Sequence, residues 1–316
     1  MSEVRAASQG VLEWLMAGDP AIRWQALRDL HGASRADWEA ERARVGVEGW
    51  GRELLDSRDE AGTWGGGLYS PKWISTTYSL VLLRRLGLAP EHPTAVEGCA
   101  LLMEEGLAPD GGIDLSVTLG RSETCLTGFV LALVTELGFE SSGTERMVDY
   151  LLREQMPDGG WNCQRYQGAT HSSFHTTINV LEGLRGYANG GGPRRSEVEC
   201  AETRGREFFS EHHLYRSHRT GDVVDPRMTR FSFPPRWYHD VLRTLDYFQA
   251  SGAPRDSRLE DPIELVRRKC GKDGRWPLQN RHPGKAFFEM EAVREPSRWN
   301  TLRALRVLKW WDSAAP

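Results

Sequence analysis

Long hydrophobic runs are absent from this 316-residue sequence. The apolar patch near the N-terminus, around Val11 to Met16, is far too short for a secretory core and is followed by an Asp19-Pro20 break. Neither a signal peptide nor a transmembrane span is expected. Cysteine is scarce and odd in number: the five residues Cys99, Cys125, Cys163, Cys200 and Cys270 are widely spaced. That argues against a disulfide framework and for reduced thiols in a cytoplasmic setting. An excess of positive charge is also missing. The formal net charge of −4 leaves no global basic surface for nucleic acid. Strand-type alternation is weak throughout, so the chain reads as all α. At this length roughly three quarters of the unfolded surface can be buried, and a core needs no covalent staple.

What the sequence does have is a recurring unit: helix, glycine turn, polar loop, and a second, more apolar helix. Asp19-Pro20 caps an early copy, Ser70-Pro71 precedes the apolar stretch Lys72 to Leu86, and Gly87 stops it. The turns at Gly62-Thr63-Trp64, Gly112-Ile113, Gly160-Trp161 and Gly274-Arg275-Trp276 mark equivalent points. Their spacing of about 50 residues, doubled once, is the signature of stacked supersecondary units. Six helical hairpins result, forming either an open solenoid or a closed ring with the apolar second helices inside. One domain over 1–316 accommodates all of them.

In a closed ring the starts of the inner helices and their preceding loops build the mouth of a central cavity. Aligning the copies puts Trp24, Trp73, Phe174, Trp237 and Trp299 at that mouth. They line a pocket for an apolar or cationic ligand, or else pack hairpin against hairpin. The mouth loops are rich in arginine. Arg216, Arg219 and Arg281 are candidate clamps for an anionic group, with pairing to Asp222, Asp225 or Glu289 as the alternative. Near the fifth inner helix Tyr238, His239 and Asp240 are candidates for acid or base chemistry, with Asp114 a weaker one. The long connection from Glu211 to Pro235 has the length and mixed polarity of a lid.

The element Tyr150 to Gln155 followed by Asp158-Gly159-Gly160-Trp161 closely resembles the QW-type repeat of squalene and other class II terpenoid cyclases. It is similar also to the repeat of protein prenyltransferase β subunits. That resemblance implies an (α/α)6 toroid with a central cavity, and weaker copies near Trp64, Gly112 and Trp276 extend it over most of the chain. The cyclase branch implies an Asp-x-Asp-Asp acid, which this sequence lacks. The prenyltransferase branch implies zinc held by an acidic residue and a cysteine two apart, with a histidine on a later inner helix. Glu123-Thr124-Cys125 and Phe174-His175-Thr176 resemble those elements, which makes Glu123, Cys125 and His175 the implied ligands. Cys163 and His171 are reserves, since lanthipeptide cyclases, another toroid family, use a thiolate-rich zinc site. Glu123 and Cys125 can share a metal only if Glu123 sits in the non-helical cap, and a helix N-terminus favours the thiolate.

The expected function is therefore a zinc-dependent enzyme, prenyltransferase-like or cyclase-like, acting in an aromatic-lined cavity on an apolar, isoprenoid-like small molecule with an anionic group. One alternative is a metal-free cyclase or isomerase using His239 or Asp240. Another is a non-catalytic toroid that binds a small ligand. Nothing in the sequence indicates a partner subunit.

Overall fold

The computed structural model describes residues 9–116 and 119–313. Among them are thirteen α-helices and no strand beyond isolated bridges. In chain order these are α1 (Gln9–Met16), α2 (Pro20–Ala26), α3 (Arg35–Ala43), α4 (Gly49–Asp56), α5 (Thr76–Leu86), α6 (Pro93–Gly106) and α7 (Thr124–Glu136). They continue as α8 (Gly143–Glu154), α9 (Phe174–Asn189), α10 (Arg195–Glu211), α11 (Val241–Ala250), α12 (Glu260–Arg268) and α13 (Arg298–Asp312). No helix among the described residues is long and apolar enough to cross a membrane.

The ring is closed, with α2, α5, α7, α9, α11 and α13 inside. Each neighbouring pair is tied by named contacts. The Trp24 indole N–H of α2 donates to the Leu86 carbonyl of α5 (2.8 Å), and Arg84 of α5 pairs with Glu136 of α7 (2.7 Å). Between α7 and α9 the backbones touch: a Cβ on Gly183 would lie 2.4 Å from the Gly128 carbonyl oxygen, so only glycine fits. Arg243 of α11 donates to Glu182 (2.9 Å) and Asn179 (2.7 Å) of α9. Arg306 of α13 pairs with Asp246 of α11 and returns to Gln25 (2.9 Å) and Asp29 (3.1 Å) beside α2. The inner helices run in parallel, since their last turns share one cavity and the starts of α7 and α9 share another. The architecture is the (α/α)6 toroid that the repeat implies.

The recurring unit works through two hydrogen bonds. Trp64, Trp161 and Trp276 each donate their indole N–H to a carbonyl of the preceding outer helix, Leu54, Leu151 and Val266 respectively, all at 2.7 Å. Their backbone N–H groups donate to threonine hydroxyls in the first turn of the next inner helix: Thr76, Thr177 and Thr301. Ile113 makes the same bond to Thr127 (2.9 Å), so the second copy keeps the backbone lock without the indole. Gln155 bridges the Gly159 and Ala201 carbonyls, and Arg58 replaces it in the first copy by donating to the Gly62 carbonyl (2.9 Å).

Three departures from the sequence reading matter. Helix α3 was not foreseen, because it is polar overall and buries no residue, with Trp38 its one large apolar side chain. The fifth inner helix begins at Val241, not at Arg236, and α5 begins at Thr76. The 211–235 connection is more plug than lid: Phe231, Ser232 and Phe233 are buried inside the ring. Phe233 stacks on Trp299 at 3.9 Å, and the Ser232 carbonyl accepts from Arg303 (3.1 Å).

Candidate functional site

The mouth holds a cavity of 620 Å³ whose wall includes Tyr69, Glu123, Cys125, Cys163, His175 and Trp237. Glu123 is the N-cap of α7 in extended conformation, as the cysteine spacing requires, yet its side chain makes no capping bond. Of the corresponding caps, Asp19, Ser173, Asp240 and Ser297 bond to their helices, while Ser75 of α5, like Glu123, makes no capping bond. Glu123 instead keeps a buried carboxylate oxygen, Oε1, without any partner. Burial raises its pKa above the ordinary carboxylate value, Lys72 lowers it, and the Asp114 charge adds to the rise.

Cys125 opens α7, and its backbone N–H donates to Cys163 Sγ at 3.1 Å. Cys163 also receives the Thr176 hydroxyl at 3.5 Å. The donors of the helix start are therefore directed at the Cys163 sulfur, and of the two sulfurs it is the one whose thiolate they favour. Its pKa is lowered chiefly by hydrogen bonding from Cys125, while contact with Cys163 and burial push the Cys125 thiol up.

His175 accepts the His239 backbone N–H through Nδ1 at 2.9 Å, which fixes the proton on Nε2. Burial, then Arg243, lowers its pKa to about 4, so at neutral pH it presents a neutral N–H donor. Ligating a metal through Nε2 would need the proton on Nδ1, in conflict with the His239 N–H. Among the described residues no three histidine, cysteine or acidic side chains form a group able to hold a metal ion. Glu123, Cys125 and His175 thus share a wall but do not fit the three-ligand zinc site as placed. His171 lies on the same wall and is exposed.

His239 has both ring nitrogens engaged, Nε2 with the Leu214 carbonyl and Nδ1 with the Thr244 hydroxyl, each at 2.8 Å. It is a buried scaffold residue in this geometry. Asp240 caps α11 through the Arg243 N–H (2.8 Å) and accepts the Ser232 hydroxyl at 2.9 Å. Ser232 Oγ in turn lies 3.2 Å from His282 Nε2, giving a chain Asp240–Ser232–His282 that sequence reading did not assemble. With Ser232 donating to Asp240, His282 donates through Nε2 and keeps a lone pair on Nδ1. Burial, then Arg236, lowers the His282 pKa to about 4. Tyr238 is stacked between Trp237 (3.8 Å) and His282 (4.0 Å). His282 stands between two adjoining cavities of 150 and 240 Å³, and His175 between the first of these and the 620 Å³ cavity.

Of the expected clamps, Arg216 is bound to Asp261 (2.8 Å) and Arg281 to Glu289, so pairing prevails there. Arg219 is exposed and lines none of these three cavities. Among the described residues, Arg236 and Arg230 line these cavities without a carboxylate ion pair; Arg236 lines the 240 Å³ cavity and lies 5.5 Å from the Trp73 ring centroid, and Arg230 lines the 150 Å³ one. Burial lowers the Arg236 pKa to about 10.

The aromatic expectations divide. Trp73 lines the 240 Å³ cavity, and Phe174 and Trp237 line the 620 Å³ one. Lys72 Nζ lies 5.6 to 5.8 Å from the Trp237, Trp73 and Tyr69 rings. Trp24 is instead held at the opposite end, between Arg28 (4.6 Å) and Arg42 (5.1 Å). It stands mid-helix in α2, so aligning it with true helix starts misplaced it. Trp299 is buried under Phe233 and faces that far end as well.

No protein-family model matches the chain. A drimenyl diphosphate synthase from Streptomyces showdoensis is 31% identical over 131 residues, covering 40% of this chain and 23% of that protein. The chain therefore spans less than a quarter of the length of this curated relative. Among solved structures, a protein from Actinoplanes is similar at 16% identity over 94% of this chain and 91% of its own, with a TM-score of 0.48. The type II terpene cyclase MstE from Scytonema, solved with merosterolic acid A as product, is similar at 14% identity over 86% and 96%, TM-score 0.36.

Proposed function

We propose that this chain is a terpenoid-type enzyme that starts its chemistry by protonating an apolar, isoprenoid-like substrate, with Glu123 as the acid. The observation that carries the reading is the Glu123 carboxyl: a cap residue turned away from its helix, with a buried unpartnered oxygen and a raised pKa, in the wall of a 620 Å³ aromatic cavity. Burial favours the protonated form of this carboxyl, the form that alkene protonation requires. The QW-type repeat and the similarity to a drimenyl diphosphate synthase support the substrate class.

Glu123 delivers its proton to an alkene carbon, and the resulting cation is stabilised by the faces of Trp237 and Trp73. His282 removes a proton at Nδ1; the imidazolium is stabilised by its Nε2–H bond to Ser232, whose hydroxyl is already directed at Asp240. One proton is gained and one lost, so the conversion is an isomerisation or cyclisation without redox change. Arg236 holds an anionic head group.

A thiophilic metal is a second reading, favoured by the contact between Cys125 and Cys163 on the Glu123 wall. Those two sulfurs would hold it, and the steps above do not depend on it. Elemental analysis after dialysis against a chelator tests it. Stoichiometric zinc that is lost in Cys163→Ala would support this second reading.

The direct test is turnover of prenyl diphosphates in deuterated water. The expected product carries one deuterium at the protonated carbon, and Glu123→Gln lowers the rate by about 10²–10⁴-fold. Unchanged turnover in Glu123→Gln refutes the assignment. Saturable binding of the same ligands without turnover leaves a non-catalytic binding toroid.

A further inference from the structure

The end of the ring where the inner helices finish contains a separate cavity of 480 Å³. It is closed from the aromatic mouth by the stack of Phe233 on Trp299, both buried. Its wall is charged where the mouth is aromatic. Arg84 and Arg85 come from α5, Arg243 from α11 and Arg306 from α13, with Arg28 at the rim.

The carboxylates there are oversubscribed. Glu182 serves Arg85 (2.8 Å), Arg243 (2.9 Å) and, at 3.4 Å, also Arg84, whose nearer partner is Glu136 (2.7 Å). Asp246 serves Arg306 and Arg303, and Asp29 serves Arg28 and Arg306. Each guanidinium has five N–H donors. The shortfall is visible in single atoms: Arg84 Nε, Arg85 Nε and Arg303 Nη2 are buried with no hydrogen-bond acceptor. Arg85 has only the shared Glu182 as a carboxylate partner, and burial with the neighbouring Arg243 and Arg84 charges lowers its pKa to about 10. A purely structural ring of ion pairs does not need this residue, because Glu182 stays held by Arg84 and Arg243 without it.

We infer that this far-end cavity is a binding site for a small phosphorylated anion, distinct from the aromatic mouth. The arginines approach from three helices around the ring. A phosphoryl group offers acceptor oxygens in several directions, whereas a carboxylate offers them in one plane. The volume exceeds what a bare phosphate fills and suits a phosphorylated small molecule. The inference does not depend on the acid chemistry assigned to Glu123.

Calorimetric titration of the full chain with inorganic pyrophosphate and orthophosphate, at an ionic strength fixed with chloride, tests it. Saturable binding of either anion with a raised melting temperature is expected. Arg85→Gln should weaken it by about ten-fold or more, the effect of losing charge-assisted hydrogen bonds. Arg28→Gln, at the partly exposed rim, serves as the second variant should Arg85→Gln fail to fold, and it too should weaken binding. Any separate saturable phase contributed by the mouth should disappear in Arg236→Gln, while the phase that depends on Arg85 remains. No saturable binding of either anion overturns the inference. So does binding that survives Arg85→Gln and Arg28→Gln but is lost in Arg236→Gln.

Discussion

The two ends of the toroid are built from the same inner helices and differ in almost every other respect. At the mouth, helix N-termini offer unpaired N–H groups and a positive field. Asp19, Ser173, Asp240 and Ser297 satisfy that demand at four helices, while Ser75 and Glu123 do not, and of these two it is the carboxyl, Glu123, that faces the 620 Å³ cavity. At the far end, the negative ends of the helix dipoles meet arginine. Nearly every acid there is tied into an ion pair, and the unpartnered atoms belong to cations. The mouth therefore holds a buried carboxyl oxygen without a hydrogen-bond donor, and the far end holds guanidinium N–H groups without enough acceptors. In a ring of parallel helices, the polarity of the backbone sets which kind of side chain is stabilised at each end, and the exceptions mark where chemistry is placed.

The contrast is most strongly tested at the acid itself. If the mouth acts through a protonated carboxyl, Glu123→Gln loses about 10²–10⁴-fold in rate while Glu123→Asp, shorter but still an acid, keeps part of it. Equal losses in both would point to packing in place of proton donation.

The corresponding break at the far end is one of stability. Three arginines, Arg243 foremost, hold the Glu182 carboxyl well below the ordinary range against the opposing cost of burial. Glu182→Gln strands those buried guanidinium groups and should cost about 3–5 kcal/mol in denaturant unfolding. A loss under 1 kcal/mol would mean that the arginines are satisfied by water, and the two ends would be less unlike than described.

Much of this was legible beforehand. Glycine turns ending on Trp64, Trp161 and Trp276 fixed the repeat, because an indole that reaches an outer-helix carbonyl leaves a visible Gly-Trp signature. The partner threonines were missed, since a threonine in the first turn of an apolar helix has no distinctive neighbour pattern. The candidate acid was singled out through its spacing to Cys125, although as a metal ligand; that its oxygen is left without a partner is a three-dimensional fact. The arginine end had a signal that was passed over: Arg84-Arg85, Arg243, Arg303 and Arg306 interrupt the apolar second helices, where charge is costly unless paired. The plug formed by Phe231 to Phe233 could not be foreseen, because whether a long mixed loop covers a ring or enters it depends on the space inside.

A smaller effect separates the arginines of the two ends. Arg236 has no carboxylate partner and should govern affinity for substrates with an anionic head. Arg236→Gln is expected to raise the KM for a prenyl diphosphate by about ten-fold with little change for the matching alcohol. An equal rise for both would assign Arg236 to wall packing over Trp73.

Stability against pH distinguishes the ends by window. His175 and His282, both lowered to about 4 by burial, belong to the mouth. A histidine with a depressed folded pKa binds its proton more readily when unfolded, so its contribution is complete above about 6.5 and falls as pH drops toward 4. The Glu182 contribution is complete above its ordinary 4.5 and disappears only as pH falls through its depressed value. Urea midpoints should therefore decline in two stages, and His282→Asn should remove part of the first alone. A single decline beginning below pH 4.5 would show that the mouth histidines titrate normally.

The least of these effects concerns the two sulfurs. Cys163 accepts the Cys125 N–H in the first turn of α7 and the Thr176 hydroxyl, whereas the Cys125 thiol, in the same contact, is pushed up. Alkylation by iodoacetamide at neutral pH, mapped by peptide mass, should therefore be a few-fold faster at Cys163 than at Cys125. In Thr176→Val the ratio should shrink, because one of the two donors to the thiolate is gone. Faster labelling of Cys125 would mean that the helix N-terminus stabilises its own cysteine. It would also restore Cys125 as the better thiolate for a metal, and Glu123 would then stand beside an anionic sulfur, which raises its pKa further and makes it a still weaker acid.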